Sequence, residues 1–387
     1  MSVAVVHDWL DTWRGGEQVL AEIVHLYPDA DLFALVDFLP DAMRARLRGK
    51  RARTSFLQRL PGARRYFRFL LPLFPRAVES LDVGRYDLVI SSSHAVAKGV
   101  RTTSGQVHIC YCHTPMRYAW DLREQYLDQS GFGRGLRGAI VRRVLDYLQR
   151  WDRASCVRVS HFIANSAHIR ERIAHCYGRD AVVIHPPVDV DFFTPAEDFA
   201  EPAERDYYVT ASRWVPYKRV DLVVAAFRDL PDRRLIVAGD GPEASRVRAA
   251  AGPNAEFVGE VSRERLRALL RGARAFVFAA EEDFGMLSVE AQACGTPVIA
   301  YGRGGSLETV RGAGTDAATG MFFSAQTTRA IADAVRLFDT PLRAIRAADC
   351  QANAARFSSD RFRAEFSAFV DGVATARRLR TLPESIS

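Results

Sequence analysis

The chain has 387 residues, of which 48 % are hydrophobic and 26 % charged, and its formal net charge is +7. These values are ordinary for a globular protein; they exclude a disordered or fibrous chain, and the length suggests two domains. No stretch approaches the roughly 18 consecutive apolar residues of a membrane-spanning helix. The start, Met1–Asp8, is unlike a signal peptide, and the spacing of the six cysteines is unlike a disulfide framework, so we expect a protein of the reducing cytoplasm.

Short apolar runs alternate with amphipathic stretches along the first half of the chain. The strands that they predict are Val3–Val6, Leu32–Val36, Leu88–Ile90, Val107–Cys112 and His161–Ala164. Helical periodicity lies between several of them, as in Glu17–Leu26 and Ala167–Cys176. This alternation predicts a parallel sheet of the α/β class.

The alternation pauses at Pro186-Pro187 and the polar stretch Thr194–Asp206, which is typical of a connection between domains. It restarts with strands predicted at Tyr207–Ala211, Arg234–Ala238, Glu256–Gly259, Ala275–Phe278 and Pro297–Tyr301, and ends in a helical region from Thr327 to Leu379. We predict two Rossmann-like domains, at 1–187 and 188–365. A C-terminal helix and tail follow at 366–387, for which packing against the first domain is one option. Since ligands bind beyond the carboxyl ends of parallel strands, the cleft between two such domains is the natural site.

The charge is concentrated in one segment. From Ala42 to Val78 there are eleven Arg or Lys residues and no Asp or Glu, whereas the rest of the chain has 42 basic and 46 acidic residues. The apolar residues interleaved with these cations are Phe56, Leu57, Tyr66, Phe67, Phe69, Leu70, Leu71 and Phe74. We call Arg44–Arg76 the basic segment and predict that it binds an anionic membrane surface. Nucleic acid and an ordinary solvated surface are the alternatives.

The loop after the first predicted strand, Asp11–Glu17, contains Gly15 and Gly16 at the start of a helix. Adjacent glycines let the backbone approach a ligand closely, and a helix N-terminus offers free N–H groups to an anion. The loop lacks the G-x-G-x-x-G spacing of a dinucleotide site. A tight turn that merely needs glycine is the alternative.

Two loops of the second half carry charged residues suited to a phosphorylated sugar. Ala211–Arg219 brings three cations, including Arg213 and Lys218, to a helix start, where they can hold phosphate oxygens. In the second loop, Glu282 and Glu290 flank the Phe284–Leu287 backbone, and this arrangement suits sugar hydroxyls on either side of a bound phosphate. A solvated basic turn and a pair of surface acids are the alternatives.

The order and spacing of these motifs resemble the retaining glycosyltransferases of family 4, which have the GT-B fold of two facing Rossmann domains. The resemblance rests on the segments Gly15–Glu17, Arg213–Lys218, Gly239–Pro242, Glu282–Ile299 and Gly304–Glu308. Two further stretches, Ser91–Val100 and Cys112–Asp121, resemble the branch of bacterial O-antigen and exopolysaccharide mannosyltransferases.

The resemblance implies a role for each matching residue. Arg213 and Lys218 would hold the donor diphosphate, and Glu290 would bind the donor ribose. Glu282 would contact the transferred sugar, with sugar and phosphate bound by the backbone of Phe284, Gly285, Met286 and Leu287. His113 would lie near the reacting centre, while Gly15 and Gly16 would approach the donor phosphate and the acceptor. Glu282, His113, Arg213 and Lys218 are thus the expected catalytic residues.

Two residues depart from the family pattern. Asp283 stands where a glycine is usual, and Glu17 where an alanine is usual. Asp283 could alter the sugar pocket and Glu17 the acceptor side.

Three other patterns resemble metal or catalytic sites, but we favour a structural explanation for each. Asp189-x-Asp191 spells a metal-binding DxD but lies in the predicted connection. His108, Cys110, Cys112 and His113 resemble metal ligands, but they alternate along a strand predicted to be buried. His94 follows three serines, yet no third member of a hydrolase triad is near. No metal or other cofactor is expected.

Together these features predict a retaining, metal-independent hexosyltransferase. Its expected donor is a nucleotide-sugar such as GDP-mannose, its acceptor a lipid-linked saccharide, and its location the cytoplasmic face of a membrane, without nucleic acid. The resemblance implies same-face substitution, in which the leaving phosphate accepts the proton of the acceptor. The alternatives are another GT-B enzyme, such as a nucleotide-sugar epimerase or a phosphorylase, and a non-catalytic protein that binds nucleotide-sugars or nucleic acid.

Overall fold

A computed structural model describes residues 1–120, 135–197, 200–340 and 345–381 of the chain. They form two compact units, one comprising Met1–His185 with Phe362–Ser387 and the other Pro186–Arg361. The chain therefore leaves the first unit once and returns to it with its C-terminal helix.

The first unit is built on a seven-stranded parallel sheet with the order β3-β2-β1-β4-β5-β6-β7. The strands are β1 (Val3–His7), β2 (Asp31–Ala34), β3 (Arg53–Thr54), β4 (Leu88–Ser93), β5 (Val107–Cys112), β6 (His161–Ala164) and β7 (Ala181–Val183). The helices are α1 (Gly15–Leu26), α2 (Asp41–Arg44), α3 (Ala63–Tyr66), α4 (Phe74–Glu79), α5 (Gly135–Ser155) and α6 (Ala167–Tyr177).

The second unit is built on a six-stranded parallel sheet with the order β10-β9-β8-β11-β12-β13. The strands are β8 (Tyr207–Ala211), β9 (Arg234–Ala238), β10 (Ala255–Gly259), β11 (Ala273–Phe278), β12 (Val298–Tyr301) and β13 (Gly320–Phe323). The helices are α7 (Val220–Phe227), α8 (Ala244–Ala249), α9 (Arg263–Gly272), α10 (Met286–Ala293), α11 (Ser306–Thr309), α12 (Thr328–Phe338) and α13 (Ala347–Ala355). Both sheets are Rossmann-like, as the sequence predicted.

The last helix, α14 (Ser359–Thr381), packs on the first unit. Phe362, Phe366 and Val370 recur every four residues, which places them on one face of the helix, and all three are buried. Phe362 contacts Tyr111 of β5 with a distance of 5.8 Å between ring centroids. The apolar stripe of α14 thus completes the core beside the central strands.

The predicted strands all form, and three strands were missed. The missed strands, β3, β7 and β13, lie at sheet edges. They have only two to four residues, and β3 belongs to the basic segment, where no apolar run indicates a strand. Their pairing follows from the neighbouring strand rather than from their own residues.

Two glycines let the loop after β8 pack against the loop after β9. A Cβ on Gly239 would overlap the carbonyl oxygen of Ser212, and one on Gly241 would overlap that of Trp214. Gly239 also has φ +113°, a conformation that side chains disfavour. The backbone of Arg213, one of the expected site residues, is positioned by this contact.

We expect Gly239→Ala to destabilise the second unit by about 3 kcal/mol or more, because overpacking and left-handed strain add together. Gly314→Ala is the matched control, since Gly314 has φ +98° but nothing within 4 Å of its Cβ position. It should lose only about 1–2 kcal/mol. Urea unfolding followed by circular dichroism compares the two variants, and equal losses would contradict the close approach.

Candidate active site

The first unit gathers polar side chains at the carboxyl ends of its three central strands. His7 ends β1, Ser92 lies near the end of β4, and His113 directly follows β5. His7 and Ser92 are register partners on adjacent parallel strands. The Ser92 hydroxyl lies 3.1 Å from His7 Nδ1 and 2.8 Å from His113 Nε2, so it links the two rings.

Asp8 holds the loop after β4 in place. Its buried carboxylate accepts hydrogen bonds from the backbone N–H groups of the four residues 94–97, at 2.6 to 3.1 Å. It also lies 3.0 Å from His94 Nδ1. Burial opposes the charged form, but the His94 ring and the amide donors outweigh it and hold the pKa of Asp8 far below its usual range. The same carboxylate raises the pKa of His94 against the effect of burial.

Gly16 and Glu17 lie in the first turn of α1, beside these rings. A Cβ on Gly16 would lie 3.7 Å from the His7 ring and 3.8 Å from His113 Nε2, so the glycine backbone faces both. Glu17 turns inward: it is 5 % exposed, and its carboxylate lies 3.6 Å from His7 Nε2. Burial and the nearby positive charges lower the pKa of His113 to about 3, and its ring is therefore neutral.

In the second unit, the loops after β8 and β11 bring Lys218 and Glu282 together. β8 and β11 are adjacent in the sheet, so their following loops meet at one edge. Lys218 Nζ forms an ion pair with the Glu282 carboxylate and lies 5.6 Å from the centroid of the Phe278 ring. Arg213, in the same loop as Lys218, is exposed, and its side chain makes no ion pair or hydrogen bond within the described part of the chain.

Glu290 lies in α10 and is 8 % exposed. Its buried carboxyl group accepts no hydrogen bond from any residue in the described ranges. Burial raises its pKa to about 7; Arg263 favours the charged form, and Asp189 opposes it. An acid with free acceptor oxygens in such a place can bind a ligand hydroxyl.

The backbone at the start of α10 is shaped by glycines. Gly285 precedes the helix with φ +87°, and the first N–H groups of a helix have no partner within it. A Cβ on Gly305 would overlap the Phe284 backbone, and the Gly305 N–H donates to the Glu282 carbonyl oxygen at 2.7 Å. The Gly304-Gly305 turn therefore supports the segment Glu282–Leu287.

Each unit thus brings together part of the expected set. Lys218, Glu282 and Arg213 share one edge of the second sheet, with Glu290 on the helix that follows, whereas Gly15, Gly16 and His113 belong to the first unit. Sequence reasoning missed His7, Asp8 and Ser92 as parts of the same cluster. Their signal was weak: polar residues at the ends of otherwise apolar strands.

The side chains of the three patterns that we set aside make other contacts or are buried. Asp189 pairs with Arg263 at 2.9 Å and accepts from the Phe192 N–H at 3.1 Å. His108 contacts Ser91 at 2.8 Å, and burial lowers its pKa to about 4, while Cys110 and Cys112 are buried free thiols. No group of three His, Cys, Asp or Glu residues within the described ranges has the arrangement of a metal site. His94 pairs with Asp8.

One residue of the family resemblance lies outside the described residues: Asp121, the last residue of the stretch Cys112–Asp121.

The basic segment divides into buried and exposed residues. Phe67, Phe74 and Leu57 belong to the core and contribute nothing to an exposed surface, contrary to the sequence interpretation, whereas Phe69 is 80 % exposed. Arg44 is buried against Asp37 at 2.8 Å. The cations that remain exposed without an ion pair in the described residues are Arg46, Arg48, Arg59, Arg64, Arg65 and Arg76. No described helix is both long enough and apolar enough to cross a bilayer.

The chain is similar to curated proteins over part of its length. Among curated proteins it resembles D-inositol 3-phosphate glycosyltransferases, with 31 % identity to that of Mycobacteroides abscessus and 37 % to that of Mycobacterium sp. strain JLS. These matches cover 52 % and 33 % of this chain and 46 % and 33 % of the relatives, so the matched region spans less than half of either relative.

Solved structures share the fold over nearly the whole chain. Anabaena HepE in complex with UDP superposes with a TM-score of 0.70 at 18 % identity, covering 96 % of this chain and all of HepE. Sucrose-phosphate synthase from Thermosynechococcus elongatus gives a TM-score of 0.70 at 17 % identity, covering 97 % of this chain and 100 % of the synthase.

Two family models match successive parts of the chain. Residues 13–192 match Glycosyltransferase Family 4, and residues 193–353 match Glycosyl transferases group 1. The chain therefore consists of a family 4 glycosyltransferase domain followed by a group 1 glycosyltransferase domain.

Proposed function

We propose that the protein is a retaining glycosyltransferase that moves a hexose from a nucleotide-sugar to a lipid-linked saccharide in bacterial surface polysaccharide synthesis. The observation that carries the proposal is the arrangement of the Lys218–Glu282 ion pair at the carboxyl edge of the second sheet and the buried Glu290 on the helix that follows. Its cation suits a diphosphate and its acids suit hydroxyl groups. HepE, which shares the fold, was solved with UDP-glucose.

Each residue of the second unit has a part in binding the donor. Lys218 and Arg213 bind the diphosphate, and the free N–H groups at the start of α10 add to the same positive field. Glu290 accepts hydrogen bonds from the ribose hydroxyls. Glu282 is then released from Lys218 to contact the transferred sugar.

The reaction needs no nucleophile from the protein. The acceptor oxygen bonds to the anomeric carbon on the face from which the bond to the phosphate oxygen breaks, and that phosphate oxygen takes the acceptor proton. Negative charge develops on the diphosphate, where Arg213 and Lys218 stabilise it. In the first unit, Gly15 and Gly16 admit the acceptor, and His113 contacts the sugar.

Mannose from GDP-mannose is the donor that we propose, since Ser91–Val100 and Cys112–Asp121 resemble mannosyltransferases. The second candidate is a UDP-sugar with a phosphorylated polyol acceptor. It is favoured by the similarity to D-inositol 3-phosphate glycosyltransferases and by the UDP in the HepE structure. Comparing GDP-mannose with UDP-glucose as donor in a transfer assay separates the two.

We expect Lys218→Ala and Arg213→Ala each to lower kcat by roughly 100-fold, the scale of removing one key electrostatic stabiliser. Arg246→Ala is the matched control, because Arg246 is an exposed arginine of the same unit that pairs with Asp221 and should leave kcat unchanged. Release of nucleoside diphosphate measures the rate, with circular dichroism to confirm folding. Near-normal rates in both site variants would refute the diphosphate assignment.

Glu290→Gln should stabilise the protein while weakening donor binding. The folded-state pKa, about 7, lies above the ordinary value of 4.5, so stability is lost as pH rises from 4.5 towards 7. At pH 8 the variant avoids this loss and should be more stable by about 3 kcal/mol.

Glu256→Gln is the matched control, because Glu256 is an exposed acid of the same unit that pairs with Arg234. It should change neither the stability nor the binding of the donor. Urea unfolding at pH 5 and pH 8 and titration with nucleotide-sugar test the prediction. Equal stability of Glu290→Gln and the native chain at pH 8 would argue against a buried, uncompensated carboxyl group.

Activity should survive EDTA, because we propose that side-chain cations neutralise the diphosphate. The test compares transfer before and after chelation. Complete loss that Mg²⁺ or Mn²⁺ restores would show that an acid pair such as Asp189 and Asp191 binds a metal.

We also propose that the enzyme works at the cytoplasmic face of a membrane, held by the exposed part of the basic segment. Each cation near an anionic leaflet contributes about 1 kcal/mol. The unpaired arginines and Phe69 supply both charge and an apolar contact. Contact at this surface would bring the first unit to a lipid-linked acceptor.

Binding to anionic liposomes should fall at least several-fold in Arg64→Glu/Arg65→Glu, and should weaken in high salt because the Debye length shortens. Arg228→Glu/Arg329→Glu makes the same charge change at exposed sites of the second unit and should bind normally. Co-sedimentation measures both. Equal binding to neutral liposomes, or none to anionic ones, would leave the segment as a solvated surface.

A further inference from the structure

The outer side of α5 carries exposed arginines that form no ion pair within the described residues. These arginines are Arg137, Arg143, Arg150 and Arg153. Of the acids in the same helix, Asp152 is buried and Asp146 is half-buried. The surface that α5 presents to solvent is therefore cationic.

Hydrophobic side chains are exposed beside these arginines. Ile140 is 55 % exposed and Tyr147 41 %, and Val157, in the turn that follows α5, is 81 % exposed. Ile140, Arg143, Tyr147 and Arg150 are spaced by three or four residues, which places them along one side of the helix. Cations interleaved with exposed apolar side chains are typical of a helix that lies in a membrane interface.

Exposed hydrophobic side chains are concentrated in this part of the molecule. Within the described ranges, thirteen large hydrophobic side chains are exposed, and eight of them lie in the basic segment, in α5 or in the turn after it. The eight are Phe56, Leu60, Tyr66, Phe69, Leu73, Ile140, Tyr147 and Val157. The described part of the second unit has only Leu307 and Leu337. Such a grouping, rimmed by charged residues, marks an interaction surface.

The basic segment and α5 cover the same face of the first sheet. Phe74 of the segment and Leu148 of α5 belong to one core cluster with Val89 of β4. Trp151 Nε1 of α5 donates to the Glu79 carboxylate at the end of α4, at 2.9 Å. Elements packed side by side on one face of a sheet expose their outer sides in the same direction. The two sets of exposed side chains therefore lie on one side of the first unit.

We propose that the outer side of α5 docks on the anionic leaflet together with the basic segment. Its arginines contact lipid phosphates, and Ile140, Tyr147 and Val157 enter the boundary between headgroups and acyl chains. The inference rests on the membrane part of the proposed function and adds an orientation to it. The sheet face covered by α5 is turned towards the lipid.

Two other partners fit the composition of this surface less well. Nucleic acid offers phosphates to the arginines, but its backbone gives the aliphatic Ile140 and Val157 no apolar contact. A second copy of the chain, docked through the same surface about a two-fold axis, would bring identical rows of arginines together. A leaflet accommodates both the cations and the aliphatic side chains.

A fluorophore at position 147 reports insertion directly, because the six native cysteines are buried and do not compete for the label. Tyr147→Cys, labelled with NBD, should shift to the blue on vesicles of phosphatidylglycerol and phosphatidylcholine. Leu337→Cys is the matched control, since Leu337 is 43 % exposed and lies in α12 of the second unit. It should not shift. Equal shifts at both sites, or none at 147 in vesicle-bound protein, would overturn the proposal.

Arg143→Glu/Arg150→Glu should lower binding to the same vesicles at least 10-fold, because each cation near an anionic leaflet is worth roughly a factor of five. Arg228→Glu/Arg329→Glu, the control pair in the second unit, should bind as the native chain does. Co-sedimentation measures binding, and circular dichroism confirms folding. Native binding by the α5 variant would contradict the proposal.

Ile140→Ser/Val157→Ser tests the apolar part of the contact. Salt screens the arginines but not an inserted side chain, so this variant should keep most binding in low salt and lose the binding that persists in high salt. An unchanged salt dependence would overturn the insertion of these side chains.

The outcomes separate this inference from the proposed function. If Arg64→Glu/Arg65→Glu loses binding while Arg143→Glu/Arg150→Glu does not, the basic segment docks without α5 and the inference fails. No binding of the native chain to anionic vesicles would overturn both membrane contacts, and retention of a duplex oligonucleotide in place of vesicles would assign the surface to nucleic acid. Release of nucleoside diphosphate, measured without vesicles, tests the transferase. Its absence would count against the proposed function and leave the docking surface standing.

Discussion

Strand order in the two parallel sheets is the constraint on which both candidate clusters depend. In each sheet the first strand of the unit lies beside its fourth, β1 beside β4 and β8 beside β11. Parallel strands end at the same edge, so the loops that follow these neighbours must meet. Residues far apart in the chain, such as His7 and Ser92 or Lys218 and Glu282, become neighbours for this reason alone.

Buried charge is treated differently in the two units. In the first, Asp8 is satisfied by four amides and a histidine, so its carboxylate fixes a loop and favours folding. In the second, Glu290 is buried without a hydrogen-bond donor among the described residues, and burial raises its pKa to about 7. A group that is unfavourable for stability and free to accept hydrogen bonds is characteristic of a binding site rather than of a scaffold.

The central strands could be predicted from the sequence because burial on both faces leaves a continuous apolar run, as in Val107–Cys112. The edge strands could not, since Arg53–Thr54 and Gly320–Phe323 are strands through their neighbours. In the basic segment, Phe67 and Phe69 were treated alike, yet one is buried and the other exposed. Phe67–Leu73 forms short 3-10 turns, which lack a regular periodicity from which the burial of each residue could be predicted.

Glycines, helix starts and the family resemblance predicted which loops carry the candidate site. They did not predict how these loops contact one another. That Lys218 meets Glu282, and that Glu17 turns inward to His7 rather than towards an acceptor, depends on strand register and side-chain direction. The most direct test of the central claim is the unfolding midpoint measured with saturating GDP-, UDP- and ADP-linked sugars. A ligand at 100 times its Kd that binds only the folded state adds about 2.7 kcal/mol. The account predicts that one of these donors raises the midpoint of the native chain and does so much less in Lys218→Ala; no shift with any of them would contradict it.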